Sequence, residues 1–162
     1  MGRAQVVKII SGGQTGVDTA ALEFAIGAGI AHGGWVPKGR TNEAGIIPDH
    51  FVGVVEAADS LPLTRTRLNI TSSDATLVIT DGAPSAGTDA TIEFARVSGI
   101  PIRIVELRSD IATKAVATRR WLIRLKPAVL NIAGPRESEA PGIGKETLKF
   151  LALVFEDRRS VS

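Results

Sequence analysis

The sequence predicts an α/β chain built on a three-layer, Rossmann-like, doubly wound and mostly parallel sheet. Short apolar runs of strand length alternate with alanine- and leucine-rich stretches at helical spacing. Several of those runs stop at a glycine-rich turn that leads directly into the next helical stretch, the pattern of βαβ units. The 162 residues carry no internal repeat and no linker, so residues 1–162 read as one ligand-binding domain with a frayed tail from about residue 156.

Residues 6–10 form the first apolar run, which ends in the turn Ser-Gly-Gly-Gln-Thr-Gly at 11–16. A helix is expected over 20–28, with Asp18 in its first turn. Residues 30–50, rich in glycine and basic groups, predict a brief strand and then a long loop. A short strand at 51–57 and a short helix at 63–73 follow, the latter with Leu68 and Ile70 as core candidates. Residues 75–80 (ATLVIT) read as a buried strand, and a helix is expected from Asp89 to Ser98, capped by Gly99 and stopped by Pro101. A strand at 102–107, a helix at 110–125 capped by Ser109 or Asp110, a strand at 129–133 and a helix at 144–155 complete the pattern. Apolar residues on that last helix suggest a dimer face.

Composition narrows the function classes. The chain has no cysteine, which excludes disulfides, thiolate metal sites and thiol redox chemistry. No segment approaches the ~20 apolar residues that span a bilayer, and the start lacks a signal-peptide pattern, so a cytoplasmic, membrane-free protein is expected. The net charge is +2, and aromatic residues are too scarce for base-stacking platforms, which disfavours nucleic acid as a partner. A basic cluster at Arg119, Arg120, Arg124 and Lys126 reads as a solvated helix face.

Open parallel sheets gather ligands beyond the carboxyl ends of their strands. Three turns fall there: 11–18 (SGGQTGVD), 81–91 (DGAPSAGTDAT) and 133–138 (AGPRES). Glycine allows close backbone approach, and the amides at a helix start attract anions, phosphate above all. The expected ligand-contacting residues are Ser11, Gly12, Gly13, Gln14, Thr15, Gly16, Asp18, Asp81, Gly87, Thr88, Gly134, Arg136 and Ser138, with Lys38 and Arg40 closing over an anion from the long loop. The alternative for Asp18 is a helix cap, and for Arg136 a salt bridge to Glu137. Neither GxGxxG nor GxxxxGK[ST] occurs, which argues against ordinary NAD dehydrogenase or P-loop NTPase chemistry. His32 and His50 have no partner at metal-ligand spacing and read as structural, no protein-ligated metal is expected, and Trp35 reads as core.

The runs IISGGQTGVDTAALEFA, GGWVPKGR, RTRLNITSSDATLVI, GTDATIEFA and NIAGPRESEAPGI occur in that order between residues 9 and 143, within a likeness that covers roughly residues 6–155. Together they resemble the family named "putative molybdenum carrier", within the SLOG superfamily of Rossmann-like proteins. The resemblance implies a molybdenum cofactor (molybdopterin) carrier or a nucleotide-binding protein, assembled as a dimer or tetramer. It marks Gly12–Gly16 as the phosphate loop and Gly87 with Thr88 as its partner. The superfamily also holds Lonely Guy-type phosphoribohydrolases, whose PGGxGTxxE motif carries a catalytic glutamate. Here the matching run is PSAGTDATIE, with two extra residues before Glu93. That spacing turns Glu93 by roughly 200° around the helix. A nucleotide phosphoribohydrolase-like enzyme using Glu93 or Asp18, and a nucleotide sensor, stand as the alternatives to a carrier.

Overall fold

The computed structural model describes residues 2–156. The elements run β1 (Lys8–Ile10), α1 (Val17–Gly27), β2 (Ala31–Val36), β3 (Thr41–Asn42), β4 (Gly45–Ile46), β5 (Val54–Glu56), α2 (Pro62–Thr71), β6 (Ala75–Thr80), α3 (Ala86–Ser98), β7 (Ile102–Glu106), α4 (Ile111–Leu125), β8 (Val129–Ala133) and α5 (Ile143–Val154). Six strands form one parallel sheet in the order β5-β2-β1-β8-β6-β7. Helices α1, α4 and α5 pack together, and α2 packs against α3. The three-layer, Rossmann-like α/β architecture is therefore present.

Strand alternation sets which side chains meet which layer. Ala75, Leu77 and Ile79 of β6 join Ile9, Leu130 and Ile132 in the main apolar cluster, which α1, α4 and α5 cover. A smaller cluster of Leu22, Val36, Ile47, Phe51 and Val54 closes the β2–β5 end. The connection from β1 runs through α1 to β2, while that from β6 runs through α3 to β7, on the other side of β8. The crevice between diverging connections thus opens above β1, β8 and β6, where such folds hold ligands.

Two helices start earlier than helical spacing suggests. Helix α1 begins at Val17, because Gly16 supplies the cap with φ 79°. Helix α3 begins at Ala86, with the Ser85 hydroxyl accepting the Thr88 N–H at 3.4 Å. Gly87 and Thr88 accordingly lie within the first turn of α3 instead of in a loop. Gly99 caps the end of α3 with φ 72°, as expected. Asp110 occupies the cap of α4 at φ 54°, and its side chain makes no capping bond. The long loop after β2 contains the β3–β4 hairpin. Ile70 is fully buried, whereas Leu68 is half-buried. On α5, Leu151 and Val154 face the core and Leu153 packs against it, which leaves Leu148 as the exposed one of the four. The large apolar side chains that α5 exposes are thus limited to Leu148 and part of Leu153. The tail beyond Glu156 lies outside the described residues.

The basic cluster on α4 is not uniformly solvated, because Arg119 is 3% exposed. Its Nε donates to the Val154 carbonyl at 2.8 Å and its Nη2 to the Leu153 carbonyl, so it satisfies the orphan carbonyls at the end of α5. Glu156 lies 3.8 Å from Nη2. Arg119→Ala is expected to lower stability by roughly 2–3 kcal/mol, the loss of charge-assisted bonds to buried acceptors. Urea unfolding of the variant beside Arg120→Ala, an exposed neighbour, measures the difference.

Candidate functional site

A cavity of about 430 Å³ opens at the carboxyl edge of the sheet between α2, α3 and the ends of β1 and β8. The turn after β1 contributes Gly12, Gln14 and Asp18; the start of α3 contributes Ser85, Gly87 and Thr88; the end of β8 contributes Ala133, Gly134 and Arg136. All three glycine-rich turns singled out in the sequence reach this one space. Close approach at Gly134 makes that possible, since a Cβ there would stand 2.2 Å from the Ile79 carbonyl and 2.6 Å from a Val17 methyl.

The first turn is filled from within. The Asp18 carboxylate accepts the Gln14 N–H at 3.2 Å and the Gly12 N–H. Burial pushes the Asp18 carboxyl up to about 6, against the opposing pull of Arg65 and of those amides. The Thr15 N–H is taken by Gln14 Oε1 at 2.9 Å. Ser11 is buried beneath the turn and donates its hydroxyl proton to the Ile132 carbonyl at 2.6 Å. The Gly12, Gln14 and Thr15 amides, three of those expected to cradle a phosphate, therefore face a carboxylate and a carboxamide of the same turn. Asp18 is not the helix cap; it braces the loop ahead of the helix.

The start of α3 is differently disposed. Its first N–H groups have no helical acceptor, and the helix dipole adds about half a positive charge. Thr88 is 8% exposed, lines the cavity, and its hydroxyl has no hydrogen-bond partner. Buried hydroxyls without a partner are uncommon, and Thr147 on α5 is the other one among the described residues. Arg136 reaches the same cavity, with Nε paired to Glu139 at 3.1 Å and Nη1 at 4.0 Å from Glu43. Its partners are thus Glu139 and Glu43, while Glu137 turns away to accept the Gly142 and Gly144 N–H groups at the start of α5.

Thr15 and Ser138 do not line this cavity; they meet on Glu43 of the β3–β4 hairpin. Glu43 accepts the Thr15 hydroxyl, the Ser138 N–H at 3.1 Å and the Ser138 hydroxyl. Those hydroxyl contacts hold the Glu43 carboxyl below its usual range. Asn42 adds a bond from Nδ2 to the Gly13 carbonyl at 3.0 Å, so the hairpin clasps the glycine turn from behind. Glu43→Gln is expected to speed proteolysis within residues 37–50 several-fold at neutral pH. Equal digestion of variant and parent would show that the clasp does not hold the hairpin.

Lys38 and Arg40 also lie away from the cavity. The Lys38 side chain is exposed, and Arg40 points its Nη2 at the Pro48 carbonyl, 3.3 Å away. Gly13 packs against Val36 and Ile47, and Gly16 sits under Pro135. Asp81 folds onto the Ala83 N–H at 2.9 Å. Glu93 is exposed on α3 and outside the cavity lining, so the acid/base role weighed for it has no place here. His50 pairs with Glu23 at 2.6 Å, and His32 accepts the Gly53 N–H at 3.1 Å. Trp35 is half-buried, with its Nε1 donating to the Ser72 hydroxyl at 3.4 Å, and belongs to neither core nor cavity.

The cavity wall also carries polar residues that lie outside the three turns, among them Arg65, Asn69 and Asn131. Arg65 lines the cavity, whereas Arg67, two residues on, lies over the Phe94 ring at 5.3 Å. The signal in the sequence is helical spacing: Arg65 and Asn69 stand four apart on one face of α2. Asn69 is buried and ties α2 to β2 through the Trp35 N–H (2.8 Å) and carbonyl (3.0 Å). Asn131 is buried in β8 and donates to the Thr76 hydroxyl at 3.3 Å.

Among the described residues, no group of three or more His, Cys, Asp or Glu converges, and no helix is long and apolar enough to cross a membrane. A solved structure from Syntrophus aciditrophicus SB, named "Putative molybdenum carrier protein", is 40% identical and superposes with a TM-score of 0.91. The match covers 96% of this chain and 98% of that one. No curated protein matches the chain. The sequence model of the circularly permutated YpsA SLOG family matches residues 9–155. With its motifs, its sheet and its crevice in agreement, the chain belongs to the circularly permutated YpsA SLOG family.

Proposed function

We propose that this protein binds and carries a phosphate-bearing small molecule, of molybdopterin or nucleotide type, in the cavity above β1, β8 and β6. The supporting observation is a cavity of about 430 Å³ lined by the first turn of α3, where the buried Thr88 hydroxyl lacks a partner, and by Arg65 and Arg136. That volume lies within the ~300–1,000 Å³ of small-molecule sites. The donors suit phosphate oxygens, and they fit the organic part of a molybdenum cofactor. The likeness to a protein named as a molybdenum carrier favours the same cargo.

The phosphate subsite in this reading is the start of α3, in the cavity that Arg136 also lines. The first glycine turn, which Asp18 occupies, supplies shape and the far wall. Carriage needs shelter and release, and the ion pairs around Arg136 leave its guanidinium room to exchange partners. Native mass spectrometry after incubation with molybdenum cofactor and with a panel of nucleotides tests the reading. Binding tighter than millimolar, weakened by Arg136→Ala, is expected. Uniformly millimolar or weaker affinities would refute it. Asp18 alone sustains the hydrolytic alternative, because it is the buried cavity carboxylate held near neutrality. Release of free base from GMP or AMP, abolished in Asp18→Asn, would favour that enzyme over a carrier.

A further inference from the structure

We infer that Asp18 and Arg65 together read a lactam–amidine edge, O=C–NH–C–NH2, on the ligand's heterocycle. Guanine and pterin share that edge. The inference rests on the proposal that the cavity holds a phosphorylated heterocycle, and adds which face of it the protein recognises.

The geometry begins at Gly12. Asp18 Oδ2 and Arg65 Nε each lie 3.0 Å from the point where a Gly12 Cβ would stand. A carboxylate and a guanidinium therefore flank Gly12 on the cavity wall, packed too closely to leave room for a side chain there. Both are held in place. Arg65 Nη1 donates to the Gly12 carbonyl at 2.7 Å, and Asp18 accepts the Gln14 and Gly12 amides. Neither is saturated: a carboxylate has about four lone-pair sites and a guanidinium five N–H donors.

Charge then fixes the ligand's orientation. A phosphate placed at the first turn would meet the Asp18 carboxylate and amides already engaged. At the first turn of α3 it meets the positive end of the helix, beside the buried and unpartnered Thr88 hydroxyl. The anionic end of the ligand thus goes to α3, and its uncharged ring end goes to Asp18 and Arg65. A ring edge facing an acceptor beside a donor must offer donors beside an acceptor. The lactam–amidine edge does so: its N–H and NH2 meet the carboxylate and its carbonyl meets the guanidinium. Adenine offers the reverse order, and xanthine sets a second carbonyl against the carboxylate.

The test is calorimetric titration of the full chain with GMP, IMP, XMP, AMP and neopterin monophosphate at pH 7.5. GMP or neopterin monophosphate, whichever ring the cavity suits, is expected to bind at least about tenfold tighter than AMP and XMP, with IMP between. In Asp18→Asn the preference should shrink to within about threefold while AMP binding persists; Arg65→Lys, which keeps the charge but loses the fork, should shrink it likewise. Circular dichroism confirms that each variant is folded. If the parent protein binds GMP, neopterin monophosphate and AMP within threefold of one another, or if both folded variants keep the preference, Asp18 and Arg65 merely staple the turn and the inference falls alone. If no phosphorylated heterocycle binds, the cavity proposal falls and takes this one with it.

Discussion

Gly16→Ala is expected to unfold roughly 10 °C below the parent protein, a loss of about 4 kcal/mol. Two effects add at this position. Gly16 has φ 79° and ψ −122°, a region open to glycine and strained by about 1–3 kcal/mol for any other residue. A Cβ would also stand 2.6 Å from the Pro135 carbonyl, 2.8 Å from the Glu137 amide and 2.9 Å from the Arg136 carbonyl carbon. All three are backbone atoms, so relief requires moving the β8–α5 segment away from the first turn, at a further cost of about 1–3 kcal/mol. Gly99→Ala is the matched control, with φ 72° and open space around its missing Cβ. It should lose about 1 kcal/mol, from conformation alone. Thermal unfolding of the two variants separates close approach from backbone strain; equal losses would show that the two turns need not touch. Because this approach holds the 133–138 turn against the first turn at the cavity they share, folded Gly16→Ala should also bind ligand more weakly.

The second large effect is on the pH dependence of stability. Burial raises the Asp18 carboxyl to about 6 from an unfolded value of 3.8. Between those values the folded chain holds a proton that the unfolded chain releases, so this group's contribution to stability falls as pH rises. The whole change amounts to about 3 kcal/mol at most, and lies between roughly pH 4 and pH 6.5. Asp18→Asn removes it. Relative to that variant, the parent should lose stability steadily from pH 4 to pH 6.5 and hold constant above. Urea unfolding of both proteins at several pH values isolates Asp18 from carboxylates such as Glu43, whose lowered value acts in the opposite sense and in a more acidic window. Parallel curves for the two proteins would mean that Asp18 titrates as an ordinary carboxylate.

In the proposed reading, the buried Asp18 carboxylate beside the cavity has a functional side. A buried carboxylate that destabilises the folded chain at neutral pH is tolerable when it directs a ligand. It repels phosphate from the first turn and offers acceptor sites to a ring edge, which makes the turn a selectivity element in the reading proposed here.

Local patterning in the chain was enough to determine the class of fold and the identity of the three turns. Residues 75–80 are apolar and β-rich over a strand's length, and they form β6 in full. Gly99 followed by Pro101 marked the end of α3, because a left-handed cap and a helix breaker act over one or two residues. The carboxyl-edge placement of 11–18, 81–91 and 133–138 follows from chain direction in a parallel sheet.

What local patterning could not decide was which group each turn would face. The amides of residues 12–14 look the same in sequence whether they await a phosphate or an aspartate. Only the packing that buries Asp18 under Arg65 of a distant helix chooses between them. Arg119 reads as one of several exposed basic residues until the end of α5 arrives beside it. Lys38 and Arg40 read as anion clamps until the hairpin between β2 and β5 docks through Glu43 and turns them aside. Hydrogen bonds and ion pairs depend on distances of a few ångströms between residues far apart in the chain, and only the folded backbone sets those distances. Periodicity, caps and turns act between near neighbours, which is why the sequence alone determined the elements and left their polar partners to the tertiary structure.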